Sequence, residues 1–169
     1  MNLLSFLLMF CLIKQPSKEE MDLFNKINQY RVKNGKTALA YCDSLSYVAE
    51  VHSIDLYKNF SIDNPHSMHS WSISNYWTGG YIDEKSKKTN WNIMYSKPKE
   101  LLGMKIVGYE IAVMNEPKSF VMTPDDALET WINSPGHNNC ILEKGWPRPF
   151  KRMGVSIYKG ISTVWFSED

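Results

Sequence analysis

The spacing of apolar residues changes twice along this chain, and those changes limit the folds open to it. Helical spacing governs residues 17–59, none is visible over 61–92, and helices and strands alternate thereafter. Ser17-Lys18-Glu19-Glu20 is a capping box ahead of Leu23, Phe24, Ile27, Tyr30 and Arg31, and Asn34-Gly35 stops that first helix. Asp43 or Ser44 opens a second helix with Leu45, Val48, Ala49, His52 and Leu56 on one face. His52 reads as a hydrogen-bonded core residue, because one imidazole without partners makes no site. Residues 98–102 form a short helix ending at Gly103, and residues 106–114 read as a strand interrupted at Gly108-Tyr109-Glu110. Thr123 caps a helix that begins at Pro124 with Asp125 and Asp126 in its first turn, carries Ala127, Leu128 and Trp131, and stops at Ser134-Pro135-Gly136. Ser134 then caps a further short helix, which puts His137 in its first turn. Arg152 to Tyr158 and residues 162–167 alternate around Lys159-Gly160 as a hairpin. This order of elements predicts an α+β sandwich.

With 169 residues, 43% of them hydrophobic, the chain closes one core. Residues 17–169 form that domain. Residues 1–16 read as a signal peptide, because the apolar run over 3–13, broken only by Ser5, has the length of a leader's core and is too short to cross a bilayer. Export is therefore expected, with no transmembrane segment. Removal of the leader takes Cys11 and leaves Cys42 and Cys140, which an exported chain can oxidise but which read as separate thiols. Nineteen Lys and Arg against eighteen Asp and Glu produce no field that would draw nucleic acid.

Between 61 and 92 lies a long connection rich in rings: Trp71, Tyr76, Trp77, Tyr81 and Trp91. Rings in such a loop either line a groove for an apolar ligand or pack over a sheet. No nucleophile elbow, zinc helix, phosphate loop or paired-cysteine motif is present, so no residue is assigned a catalytic role. His66, His69, Glu110, Ser134 and His137 remain, each beside a glycine, proline or aromatic residue that would expose it.

Several stretches resemble one family when taken together: the helix over 45–52, His69-Ser70-Trp71, Gly108-Tyr109-Glu110-Ile111-Ala112 in place of Gly-Glu-Asn-Ile-Ala, the helix over 127–131, Ser134-Pro135-Gly136-His137, Met153-Gly154-Val155, and Trp165-Phe166. In their order and spacing they are similar to the CAP superfamily (cysteine-rich secretory proteins, antigen 5, pathogenesis-related 1) in its shorter, bacterial-like SCP form. The resemblance implies an α-β-α sandwich with a small central antiparallel sheet and a cleft holding His69, Glu110, Ser134 and His137. Where longer members carry an acid, this chain has Ser134. His69 and His137, with Glu110, can hold a divalent metal such as zinc with an open coordination position, though no cofactor is required. The alternative is a hydrogen-bonded network in which Glu110 orients the histidines. Ser134, His137 and Glu110 also have the composition of a hydrolase triad, but as an N-cap Ser134 would turn its hydroxyl toward the backbone N–H of Gly136 or His137.

The resemblance further implies sterol or small-lipid binding in an apolar groove. The preferred reading is a secreted, non-enzymatic binding or effector module whose partners are a sterol, another small lipid or an extracellular protein. A metal-dependent or serine-type hydrolase and a purely structural secreted domain stand as alternatives. Two expectations follow for the structure. His69 and His137 should face each other with Glu110 between or beneath them, within reach of one ion or water. The aromatic residues from 71 to 91 should form a separate apolar site.

Overall fold

The computed structural model describes residues 15–63, 66–86 and 88–169, so most of the expected signal peptide lies outside the described residues. Helix α1 (Lys18–Lys33) opens with the capping box: Glu20 N–H donates to Ser17 Oγ at 3.1 Å and Ser17 N–H to Glu20 Oε2 at 2.7 Å. It buries Leu23, Ile27 and Arg31, spaced four apart on one face. The Arg31 guanidinium donates to the carbonyls of Thr37 and Ile141 and pairs with Glu143 at 2.7 Å, tying the end of α1 to a distant loop.

Strand β1 (Ala40–Tyr41) passes directly into α2 (Asp43–Asn59). The cap is Cys42, one residue earlier than the sequence suggests, and its side chain makes no capping bond. Its N–H is already committed to Met153 O at 3.0 Å, so the ladder of β1 runs into the first turn. Leu45, Val48, Ala49, His52 and Leu56 are buried along α2, as their spacing predicts.

The sheet has the order β1-β3-β4-β2, with β2 at Tyr109–Met114, β3 at Arg152–Tyr158 and β4 at Ile161–Ser167. The β2, β3 and β4 pairings are antiparallel, but β1 runs parallel to β3, so the expected antiparallel sheet is mixed at one edge. The crossover through α2 and the segments after it makes that parallel pairing possible. Every residue of β4 is buried, because helices cover both faces of the central strand. Ser162 and Thr163 tolerate this burial by donating to Ser156 O and Ala49 O, each at 3.0 Å.

On one face Ile111, Val113, Met153, Val155, Val164 and Phe166 pack with α1 and with α5 (Pro124–Asn133) and α6 (Pro135–Ile141). On the other, Trp165 packs with Leu45, Val48 and Ala49 of α2. These are the layers of an α-β-α sandwich. Helix α2 lies so close that a Cβ on Gly154 would meet Ser46 N at 2.0 Å. Gly108 does not interrupt β2, which runs unbroken from Tyr109. A Cβ there would come within 2.6 Å of the Trp165 ring and 2.7 Å of Pro98, so the glycine permits close packing rather than a break.

The long connection is tied down at its centre. Trp71 and Gly80 exchange two backbone hydrogen bonds, and Ser67 N–H donates to Ile82 O at 2.9 Å. Two short helices follow, α3 (Asn92–Tyr95), which sequence periodicity did not reveal, and α4 (Lys97–Leu102), which ends at Gly103 in a left-handed conformation. Cys42 and Cys140 are free thiols, and burial pushes that of Cys140 far up. Among the described residues no helix is long and apolar enough to cross a membrane.

Candidate functional site

Strand β2 is an outer strand of the sheet, and a cleft of about 590 Å³ wraps its open edge. Alternation along β2 sends Glu110 and Ala112 to the face of α2, and Tyr109 and Ile111 to the opposite face. The cleft draws residues from both. Its remaining walls come from the long connection with α3, and from the start of α6.

Glu110 lies beneath the cleft with its side chain fully buried and both oxygens engaged. His69 Nδ1 donates to Oε2 at 2.9 Å, and His52 Nδ1 makes a short contact with Oε1. His52 Nε2 lies 2.9 Å from Ser70 O. A carbonyl only accepts, so His52 Nε2 carries a proton, and an ionised Glu110 requires protons on both Nδ1 atoms facing it. His52 is then an imidazolium. Burial opposes that charge, but the adjacent carboxylate and the two hydrogen bonds outweigh it and raise the pKa of His52. Burial likewise favours neutral Glu110, and His52 and His69 outweigh it, holding the carboxyl below its usual range. The Trp71 ring stacks on His52 at 4.1 Å and 5°, a cation–π arrangement that seals the pair from water.

His69 donates through Nδ1, which leaves Nε2 as its remaining polar atom. His137 lines the cleft beside it, their ring centroids 6.5 Å apart. Burial lowers the pKa of His137 and the neighbouring His69 lowers it further, so the ring is neutral at neutral pH. Its Nδ1 is buried without a hydrogen-bond partner. His69 and His137 are neighbours in the cleft, and the carboxylate of Glu110 is turned to His52 and His69 rather than to His137.

Two consequences follow for the chemistries considered. Both oxygens of Glu110 already face a histidine nitrogen, and among the described residues no three His, Cys, Asp or Glu side chains converge to hold an ion. The residues present therefore do not fit a zinc held by three protein ligands. Nor do Ser134, His137 and Glu110 form a hydrogen-bonded chain. Ser134 closes α5 and opens α6 at once, and its hydroxyl, which makes no capping bond, lines the cleft instead of turning to Gly136 or His137.

Of the five rings expected to form a groove, Trp91 alone lines this cleft. Trp71 is 1% exposed and belongs to the core, because the loop folds it under itself onto His52. Trp77 packs edge-on against Trp71 and donates to Ser72 O at 2.9 Å. Tyr76 and Tyr81 are exposed, and Tyr81 stacks on His66, which is outside the cleft. Trp91 does not stand apart from the polar residues, since it lies 6.1 Å from His69, whereas Trp71 and Tyr81 border a second, separate pocket. Sequence reasoning missed the actual aromatic wall of Tyr95, Tyr109 and Trp146, and it missed Glu84, which lines the cleft while accepting from Ser67. Tyr109 was readable in principle, since it stands where the resembled motif carries its acid.

A model of the CAP family, described as the cysteine-rich secretory protein family, matches residues 24–165. Three solved structures share the fold. An extracellular protein containing an SCP domain from Bacillus anthracis str. Ames is 19% identical with a TM-score of 0.58, over 89% of this chain and 40% of that one. A cysteine-rich secretory protein from Staphylococcus aureus subsp. aureus Mu50 is 12% identical with a TM-score of 0.59, over 92% and 41%. An outer surface protein from Borrelia burgdorferi is 18% identical with a TM-score of 0.59, over 92% and 96%. The chain thus spans about two fifths of the length of the first two. No curated protein matches in sequence.

Proposed function

This chain belongs to the CAP family, and from that premise we propose that it is an extracellular binding module whose cleft takes a small, largely apolar ligand. One observation carries the reading: a cleft of about 590 Å³ has aromatic and methionine walls and a buried, unpartnered His137 Nδ1. That combination of volume, apolar walls and few polar anchors suits a small-molecule site. Export is supported by the apolar leader and by the extracellular and outer-surface descriptions of the structural neighbours. Sterols and other small lipids are the ligand class to try first. Zinc meets only the two imidazoles of His69 and His137 and should bind weakly.

Titration of a fluorescent sterol and of zinc into wild type, Trp91→Ala and the double variant His69→Ala/His137→Ala tests the reading. Trp91→Ala should weaken sterol binding while folding is retained. The double variant should weaken both ligands. Sterol affinity unchanged in Trp91→Ala would move the ligand out of this cleft.

A further inference from the structure

The rings around the cleft follow one another without a gap. His137 and His69 lie 6.5 Å apart, His69 and Trp91 6.1 Å, Trp91 and Tyr95 6.2 Å, Tyr95 and Tyr109 5.5 Å, and Tyr109 and Trp146 5.9 Å. All six line the same space. Their mutual contacts include tilted, stacked and edge-on pairs, so the rings do not form one flat stacking slot.

The charge of the lining is one-sided. Glu84 and Glu110 contribute carboxylates, and among the described residues no lysine or arginine lines the cleft. Arg148, which approaches Tyr109, is paired with Glu168 at 3.5 Å. The charge of Glu110 is met by His52 beneath the floor, and Glu84 adds an exposed carboxylate to the lining. His137, the basic group at the end of the arc, is held neutral. Met68 and Met94 add polarizable thioethers to the wall.

We infer that the cleft recognises an organic cation of the quaternary-ammonium class, held against the arc from His137 to Trp146 with Glu84 at the rim. Aromatic faces attract a diffuse cation through their quadrupoles, most strongly where water is excluded. Such a cation needs no hydrogen-bond acceptor, which suits walls made of rings and thioethers. An anionic ligand would meet the carboxylate of Glu84, and among the described residues no lysine or arginine in the lining to pair with. The inference rests on the proposal that this cleft is the ligand site, and it adds the charge of the ligand's head.

The test compares choline with its neutral isostere 3,3-dimethylbutan-1-ol on the full chain, followed by NMR of the indole N–H resonances. Choline should bind about tenfold more tightly than the isostere. Trp91→Leu should abolish that preference, Trp91→Phe should restore it, and Glu84→Gln should weaken choline a few-fold. Vesicles distinguish the source of the group: binding to phosphatidylcholine in preference to phosphatidylglycerol points to a lipid headgroup, and binding of free choline alone points to a soluble amine. Either result supports the inference. Equal affinity for choline and its isostere, or preference for phosphatidylglycerol, overturns it. Retained binding of a fluorescent sterol in that event leaves the cleft as a ligand site, whereas loss of sterol and choline binding together removes both readings.

Discussion

His52 lies buried against Glu110 while His137 lines the cleft, and the two end in opposite conditions. His52 has both nitrogens bonded, a ring stacked on it and no exposure, and it is charged. His137 has an unpartnered Nδ1 and lines a cleft, and it is neutral. The difference shows how one fold uses imidazole twice. Beneath the floor, saturation of every polar atom turns a histidine into a structural cation that fixes Glu110. Above it, incomplete saturation leaves a group ready for a ligand.

Removing the sealed partner should have the largest effect. His52→Ala strands the buried Glu110 charge and opens a void under Trp71, and it should cost about 3–5 kcal/mol of unfolding free energy by denaturant titration. The pH dependence sharpens the assignment. Stability from Glu110 is fully present above its unfolded value, near 4.5, and is lost as pH falls through its depressed folded value. Stability from His52 is fully present below its unfolded value, near 6.5, and is lost as pH rises through its raised folded value. The advantage of wild type over a His52→Gln variant should therefore be greatest between these two values and shrink on either side. An advantage independent of pH would mean that the pair is not ionic.

Two glycines compare the packed and open regions with one methyl group. Gly154→Ala forces a Cβ against the backbone of α2 and should cost about 1–3 kcal/mol. Gly136→Ala, at the cleft, has nothing within 4 Å of the added carbon and should leave the thermal midpoint nearly unchanged. Equal losses would show that the cleft side is packed as tightly as the α2 side.

A small effect on stability should also come from His137→Ala. It removes no hydrogen bond at Nδ1 and should shift stability by less than about 1 kcal/mol, while lowering affinity for whatever occupies the cleft. A large loss of stability would place His137 with His52 as a structural group.

Local chemistry alone determined much of this protein. The capping box at Ser17, the buried face of α2, the proline-initiated helices after Thr123 and Ser134 and the terminal hairpin all depend on residues a few positions apart, and they were legible because such preferences act within one or two turns. The pairing of His69 with His137 was legible through the order of motifs along the chain. Placement of the rings and of the carboxylate was not. Whether Trp71 lines a groove or lies against His52, and whether Glu110 turns to His52 or to His137, depends on side chains that meet 19 and 58 positions apart in sequence. Periodicity carries no information about those distances. Closure of the long connection over the edge of β2 decided them, by burying Trp71 against His52 and leaving Trp91 on the wall of the cleft.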